Sequence, residues 1–168
     1  DLFWTSLLNY FDINFSGNSS PAISEGENIY DKKFFPNVKL SYCENIINNL
    51  NSSPILYINE NGFKKYYIKE EIINKVNVIS KYLRSIGVKK GDRIVGVVSN
   101  NAETLISFLA VNSIGAIWSS CSPDFGEQAI LDRFNQIEPK ILFYSSNYDY
   151  GGKKLSLIHI SEPTRRTT

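Results

Sequence analysis

Methionine is absent from this 168-residue chain, histidine occurs once and cysteine only twice. Without a methionine, Asp1 does not read as an initiator, and the chain is expected to be incomplete. Cys43 and Cys121 stand far apart with no histidine beside either, which excludes metal-ligand spacing and a disulfide framework. A reduced, cytoplasmic setting fits that usage best. A formal net charge of +1 supplies no basic field for nucleic acid or an anionic membrane. The longest apolar stretch, Leu105 to Trp118, is broken by Asn112 and Ser113 and falls short of the roughly 20 residues a membrane span needs. No basic segment followed by an apolar run opens the chain, so a signal peptide is not expected. What remains, with 42% hydrophobic and 21% charged residues, is the composition of a soluble globular protein long enough for a sizeable core.

Along the chain, Phe3, Leu7, Leu8 and Phe11 fall at helical spacing, and Tyr42, Ile46, Ile47 and Leu50 suggest a second short helix. The polar, irregular segment between them completes an N-terminal helical and irregular extension over residues 1–53. From Pro54 the pattern changes. Ile55 to Ile58 reads as a strand, Asn59 to Gly62 as a turn, and Lys64 to Ile68 as the returning hairpin strand. A helix is predicted from Lys69 to Ile86, with Ile72, Ile73, Val76, Ile79, Leu83 and Ile86 in one stripe and Gly87 as its stop.

The run Arg93 to Val98 is almost continuously apolar, as in a strand buried on both faces of a parallel sheet. Asn100 and Asn101 are candidate caps for a helix from Ala102 to Ile114. A strand around Ile117, a small-residue loop from Ser119 to Gly126, a helix from Glu127 to Ile137 and a buried strand from Ile141 to Tyr144 follow. This alternation predicts an α/β fold, part of a doubly wound, mainly parallel sheet forming an incomplete domain over residues 54–153.

The loop Ser119 to Gly126 is the candidate site. It offers hydroxyls, backbone amides and the Asp124 carboxylate ahead of a helix N-terminus. Asp124 either meets a ligand or caps the helix; Trp118 fits core packing, and Cys121, without a neighbouring base, a quiet small residue. The glycines form neither a dinucleotide fingerprint nor a phosphate-cradling loop. No catalytic residue and no metal ligand is expected.

Three segments carry a resemblance: FPNVKLSYCEN from Phe35 to Asn45, LRSIGVKKGDRI from Leu83 to Ile94, and GAIWSSCSPDFG from Gly115 to Gly126 followed by DRFNQIEPK from Asp132 to Lys140. The chain from about Phe3 to Lys153 resembles the start of the acetoacetyl-CoA synthetases among the adenylate-forming acyl-CoA ligases. That resemblance implies a ligase that uses ATP, CoA and Mg²⁺, with acetoacetate as the small-molecule substrate. The acid is adenylated with release of pyrophosphate, and the CoA thiol then displaces AMP. The phosphate loop and the mobile lid of such enzymes lie beyond this chain, so the chain alone is expected to be inactive. The resemblance also implies that Ser122, Pro123, Asp124 and Lys153 contact CoA. Ile68 stands where that superfamily usually carries a capping threonine.

Two further readings stay open: a ligase of the same superfamily for another short acid, and a free-standing α/β binding module without chemistry. The segment Ile158 to Arg165 resembles translated sequencing adapter, so residues 154–168 are expected to be a non-native tail. The single histidine, His159, lies in it and is assigned no role.

Overall fold

A computed structural model of the chain describes residues 1–51 and 54–156. It divides into two compact units, residues 1–49 and residue 50 onward.

In the first unit, α1 (Leu2–Tyr10) is followed by the two-residue strands β1 (Ser16–Gly17) and β2 (Val38–Lys39), which pair antiparallel, and by α2 (Tyr42–Asn48). Ser41 caps α2, its hydroxyl accepting from the Glu44 N–H at 3.2 Å. Asn45 is buried, and its amide satisfies a neighbouring segment. Its Oδ1 accepts from the Asn14 N–H at 2.7 Å, and its Nδ2 donates to the Asn14 and Ser41 carbonyls at 2.9 Å each. Trp4 packs edge-on against Phe34. The apolar stripe expected on α2 is only half-covered, and the fully buried positions are Cys43 and Asn45 instead.

The second unit opens with the hairpin β3 (Ile55–Ile58) and β4 (Lys64–Tyr67), in register Ile55↔Tyr67. Helix α3 (Lys69–Ser85) buries Ile72, Val76 and Leu83 from its predicted stripe, while Ile86 lies past its end and is exposed. Its cap residue, Ile68, makes no side-chain hydrogen bond to the helix.

The strands β5 (Arg93–Val97), β6 (Ile117–Cys121) and β7 (Ile141–Tyr144) form one parallel sheet in the order β6-β5-β7. Strand β5 is central, which is why it is apolar throughout and buried from Ile94 to Val97. Helix α4 (Ala102–Ser113) links β5 to β6, and α5 (Glu127–Phe134) links β6 to β7. Val111 of α4 and Leu83 of α3 pack with Ile94 on one face of β5. Phe134 of α5 packs with Val95 and Val97 on the other. The sheet is therefore doubly wound, and burying each large side chain among these contributes about 1.5–3 kcal/mol.

Helices α3 and α4 end alike. The Val88 N–H donates to the Leu83 carbonyl and the Ala116 N–H to the Val111 carbonyl, at 3.0 and 3.2 Å. In each case the preceding glycine, Gly87 or Gly115, holds a positive φ of 83° or 73°. Each pair thus closes a helix end with a hydrogen bond and a contact inside one core cluster.

Two boundaries and one burial differ from the sequence expectation. Strand β6 runs through Ser119 and Ser120 to Cys121, because their backbone pairs with Val95, Gly96 and Val97; the loop therefore starts at Ser122. Helix α5 ends at Phe134, short of Ile137, and the chain turns at Glu138 with φ 48° before Pro139. Strand β7 is an edge strand and only half-buried, with Leu142 and Tyr144 exposed. A hairpin of β8 (Asn147–Tyr150) and β9 (Lys153–Ser156) follows, so residues 154–156 are paired in a strand. His159 and the rest of the expected tail lie outside the described residues.

Candidate ligand cleft

All three parallel strands deliver their loops to one end of the sheet, which is where open α/β sheets bind ligands. A cleft of about 390 Å³ lies there. Its walls are Ser99, Asn100 and Asn101 after β5, Ser122 and Pro123 after β6, the end of the first hairpin from Tyr57 to Glu60, and Asn147, Tyr148 and Asp149 of the last hairpin.

The walls are built by local hydrogen bonds. Asn101 caps α4 by accepting from the Thr104 N–H at 2.8 Å, and its Nδ2 donates to the Ser99 hydroxyl at 3.1 Å. The Thr104 hydroxyl donates to the Ser99 carbonyl at 2.8 Å, so the turn after β5 is held from both sides. The sheet pairing continues one step into the loops, with the Val98 N–H donating to Cys121 and the Ser145 N–H to Val97. Tyr148 donates its hydroxyl to the Pro123 carbonyl at 3.3 Å, and the Gly152 N–H donates to Glu60 Oε2 at 3.3 Å. The last hairpin thereby ties the loop after β6 to the turn of the first hairpin.

Of the residues expected to contact CoA, Ser122 lines the cleft with its side chain exposed and Pro123 lines it with its ring buried. Asp124 and Lys153 are exposed and are not part of the lining. Asp124 does not cap the following helix: its N-cap is Gly126, which has no side chain to offer. Cys121 is buried beneath the loop, and that burial pushes its thiol pKa up, away from the thiolate a nucleophile needs. Trp118 packs into the core against Phe108 and Phe143, as its surroundings in the sequence suggest. The Asn59–Glu60 turn and Asn147 to Asp149 were not legible as cleft residues. Both are turn-type or polar segments whose convergence depends on the fold.

The Gly91-Asp92-Arg93 segment sits at the opposite end of the sheet. Arg93 Nε donates to the Ile137 carbonyl at 2.8 Å and Nη2 to the Glu138 carbonyl at 3.1 Å. Lys140 Nζ bridges the Gly87 carbonyl at 2.6 Å and Asp92 Oδ2 at 2.8 Å. These contacts lock the starts of β5 and β7 together at the end of the sheet away from the cleft.

A doubly wound sheet with a polar cleft at the carboxyl ends of its strands defines a ligand-binding α/β protein. Residues 70–166, more than half of the chain, match the family described as AMP-binding enzyme, and the chain belongs to that family. It is 36% identical over 153 residues to an acetoacetyl-coenzyme A synthetase of Rhizobium meliloti (strain 1021), covering 90% of this chain and 23% of that protein. It is 37% identical over 159 residues to an acetoacetyl-CoA synthetase of Macaca fascicularis, covering 92% and 24%. The solved acetoacetyl-CoA synthetase from Streptomyces lividans superposes with a TM-score of 0.88 at 31% identity, over 95% of this chain and 25% of that one. The chain thus spans about a quarter of the length of these relatives.

Proposed function

We propose that this chain is the N-terminal part of an ATP-dependent acetoacetate–CoA ligase. In that reaction a carboxylate oxygen of acetoacetate attacks the α-phosphorus of ATP, and the bond to the β-phosphate breaks to release pyrophosphate. The CoA sulfur then attacks the acyl carbon, its proton is lost, and AMP leaves as the thioester forms. The observation that carries this reading is the likeness to three acetoacetyl-CoA synthetases over at least nine-tenths of the chain. It is supported by Ser122 and Pro123 lining a cleft after β6.

Within the ligase, this part meets CoA through Ser122, Pro123 and Asp124, with Lys153 near the phosphates. Among the described residues no group of three or more His, Cys, Asp or Glu side chains could hold a metal ion. On the ligase reading the Mg²⁺ that accompanies ATP would neutralise phosphate charge. On this reading residues 1–53 form the extension, residues 54–153 the first part of the catalytic N-terminal domain, and residues 154–168 a non-native tail. The chain alone carries neither half-reaction.

The test is to express the complete coding sequence and follow CoA-dependent AMP formation with acetoacetate, acetate and propionate. Acetoacetate is expected to give the highest kcat/KM. A preference for either other acid would overturn the assigned substrate, and absence of any acyl-CoA product would overturn the ligase. Turnover by residues 1–168 alone would overturn the claim of inactivity.

A further inference from the structure

The loop after β6 is tethered sparsely from within. The Phe125 N–H donates to the Ser122 carbonyl at 3.3 Å, and the helix that follows has no side-chain cap. Pro123 has no N–H of its own to anchor the backbone. What holds the centre of the loop from outside is Tyr148, 25 residues later, whose hydroxyl donates to the Pro123 carbonyl at 3.3 Å. The same tyrosine lines the cleft, half-buried, with Ser122 and Pro123. Its hairpin is anchored at the far wall, where the Gly152 N–H donates to Glu60.

We propose that Tyr148 is a positioning residue for CoA: by holding the Pro123 carbonyl it fixes the backbone of Ser122 to Asp124 in the conformation that receives the cofactor-sized thiol substrate. The inference rests on the ligase reading above. Tyr148 acts on the loop and not on the reacting atoms, so its effect falls on CoA binding in the second half-reaction. The adenylation half-reaction, which proceeds before CoA is used, does not depend on it.

The experiment uses the complete ligase with Tyr148→Phe, which keeps the ring in the cleft wall and removes only the hydroxyl. Three quantities are measured with the best acid found for the wild type: KM for CoA, KM for ATP, and acid-dependent exchange of pyrophosphate into ATP. Losing one neutral hydrogen bond to a loop should raise the CoA KM roughly three- to tenfold in Tyr148→Phe. The ATP KM and the exchange rate should stay within about twofold, the range left by scatter in such small free energies. An unchanged CoA KM, or a parallel loss in all three quantities, overturns the positioning role. If the wild type forms no acyl-CoA from any acid, the ligase reading itself has failed and this inference falls with it. A wild type that works while Tyr148→Phe behaves like it sinks the inference alone.

Discussion

A methyl group placed on Gly96 would stand 2.8 Å from Cζ2 and 3.0 Å from Cη2 of Trp118, and 3.1 Å from Cγ2 of Val98. Gly96 lies in the central strand and Trp118 in its parallel neighbour, on the face that α3 and α4 cover. The indole is held there by edge-on contacts with Phe108 and a tilted one with Phe143, so it cannot retreat without disturbing the core. Gly96 is thus required for the space the tryptophan takes.

Gly96→Ala should lower stability by about 1–3 kcal/mol through overpacking. Trp118→Phe removes the part of the ring nearest that methyl, so the cost of Gly96→Ala should shrink in the double variant. Urea midpoints for the four proteins of the cycle test this, and strictly additive costs would show that the clash is relieved elsewhere. Gly87→Ala makes a useful contrast. Nothing lies within 4 Å of its added methyl, and only the positive φ of 83° opposes it. Its cost of about 1–2 kcal/mol should not depend on Trp118.

The same contrast shows how much could be read from the residues alone. Gly87 announced itself, since a glycine after an amphipathic stripe predicts a helix end, and the continuous apolar run of β5 predicted a central strand. Gly96 inside that run gave no sign of what it makes room for. Ser119 and Ser120 have the composition of a loop, and only the ladder to Val95 and Gly96 makes them strand. The cleft was half legible. The loop at the end of β6 followed from the order of elements, whereas Tyr57, Tyr148 and Asp149 reach it through hairpins whose docking depends on long-range contacts. The Gly151-Gly152 turn signal between Tyr150 and Lys153 was present in the sequence but lies beside the segment read as a tail.

Asp92 and Lys140 give a pH dependence of known sign. The hydrogen bond from Lys140, with a second from the Lys89 N–H, holds the Asp92 carboxyl below its usual range. A folded-state pKa below the unfolded one means stability that is present above the unfolded value, about 3.9, and is lost as pH falls through the folded value. Asp92→Asn should therefore be less stable than the wild type at neutral pH, and the gap should close as pH falls below about 4. Denaturant midpoints between neutral and acid pH measure it; a gap that stays constant across that range would show that the ionised form of Asp92 contributes nothing.

Ile68 occupies the cap position of α3 with extended backbone, φ −81° and ψ 160°, and its side chain makes no cap hydrogen bond. It is 57% exposed, so replacing it sacrifices little burial. Glu71 lies three residues on, where a capping box places its acidic partner, although it already pairs with Lys65 and Lys75 at 3.5 and 3.0 Å. Ile68→Ser should stabilise the protein by about 1 kcal/mol. A melting temperature that does not rise would mean that the Ile68 side chain contributes as much where it is as a cap would.

On the proposed ligase reading, the charge of the cleft bears on where CoA phosphates can go. Among the described residues its lining includes the carboxylates Glu60 and Asp149 and no lysine or arginine. A phosphate about 4 Å from either would be repelled by roughly 1 kcal/mol even in water, and by more with water excluded. The phosphates are better served outside the lining, where Lys153 stands exposed on β9, in the same hairpin as Asp149. In the complete ligase, Lys153→Ala should raise the KM for CoA and should raise the KM for CoA lacking its 3′-phosphate less, with the difference fading at high salt. Lys81 is exposed on α3 and is no part of the lining, so Lys81→Ala should change neither. Equal effects of the two substitutions would reduce the contribution of Lys153 to general surface charge and leave the phosphates to residues beyond this chain.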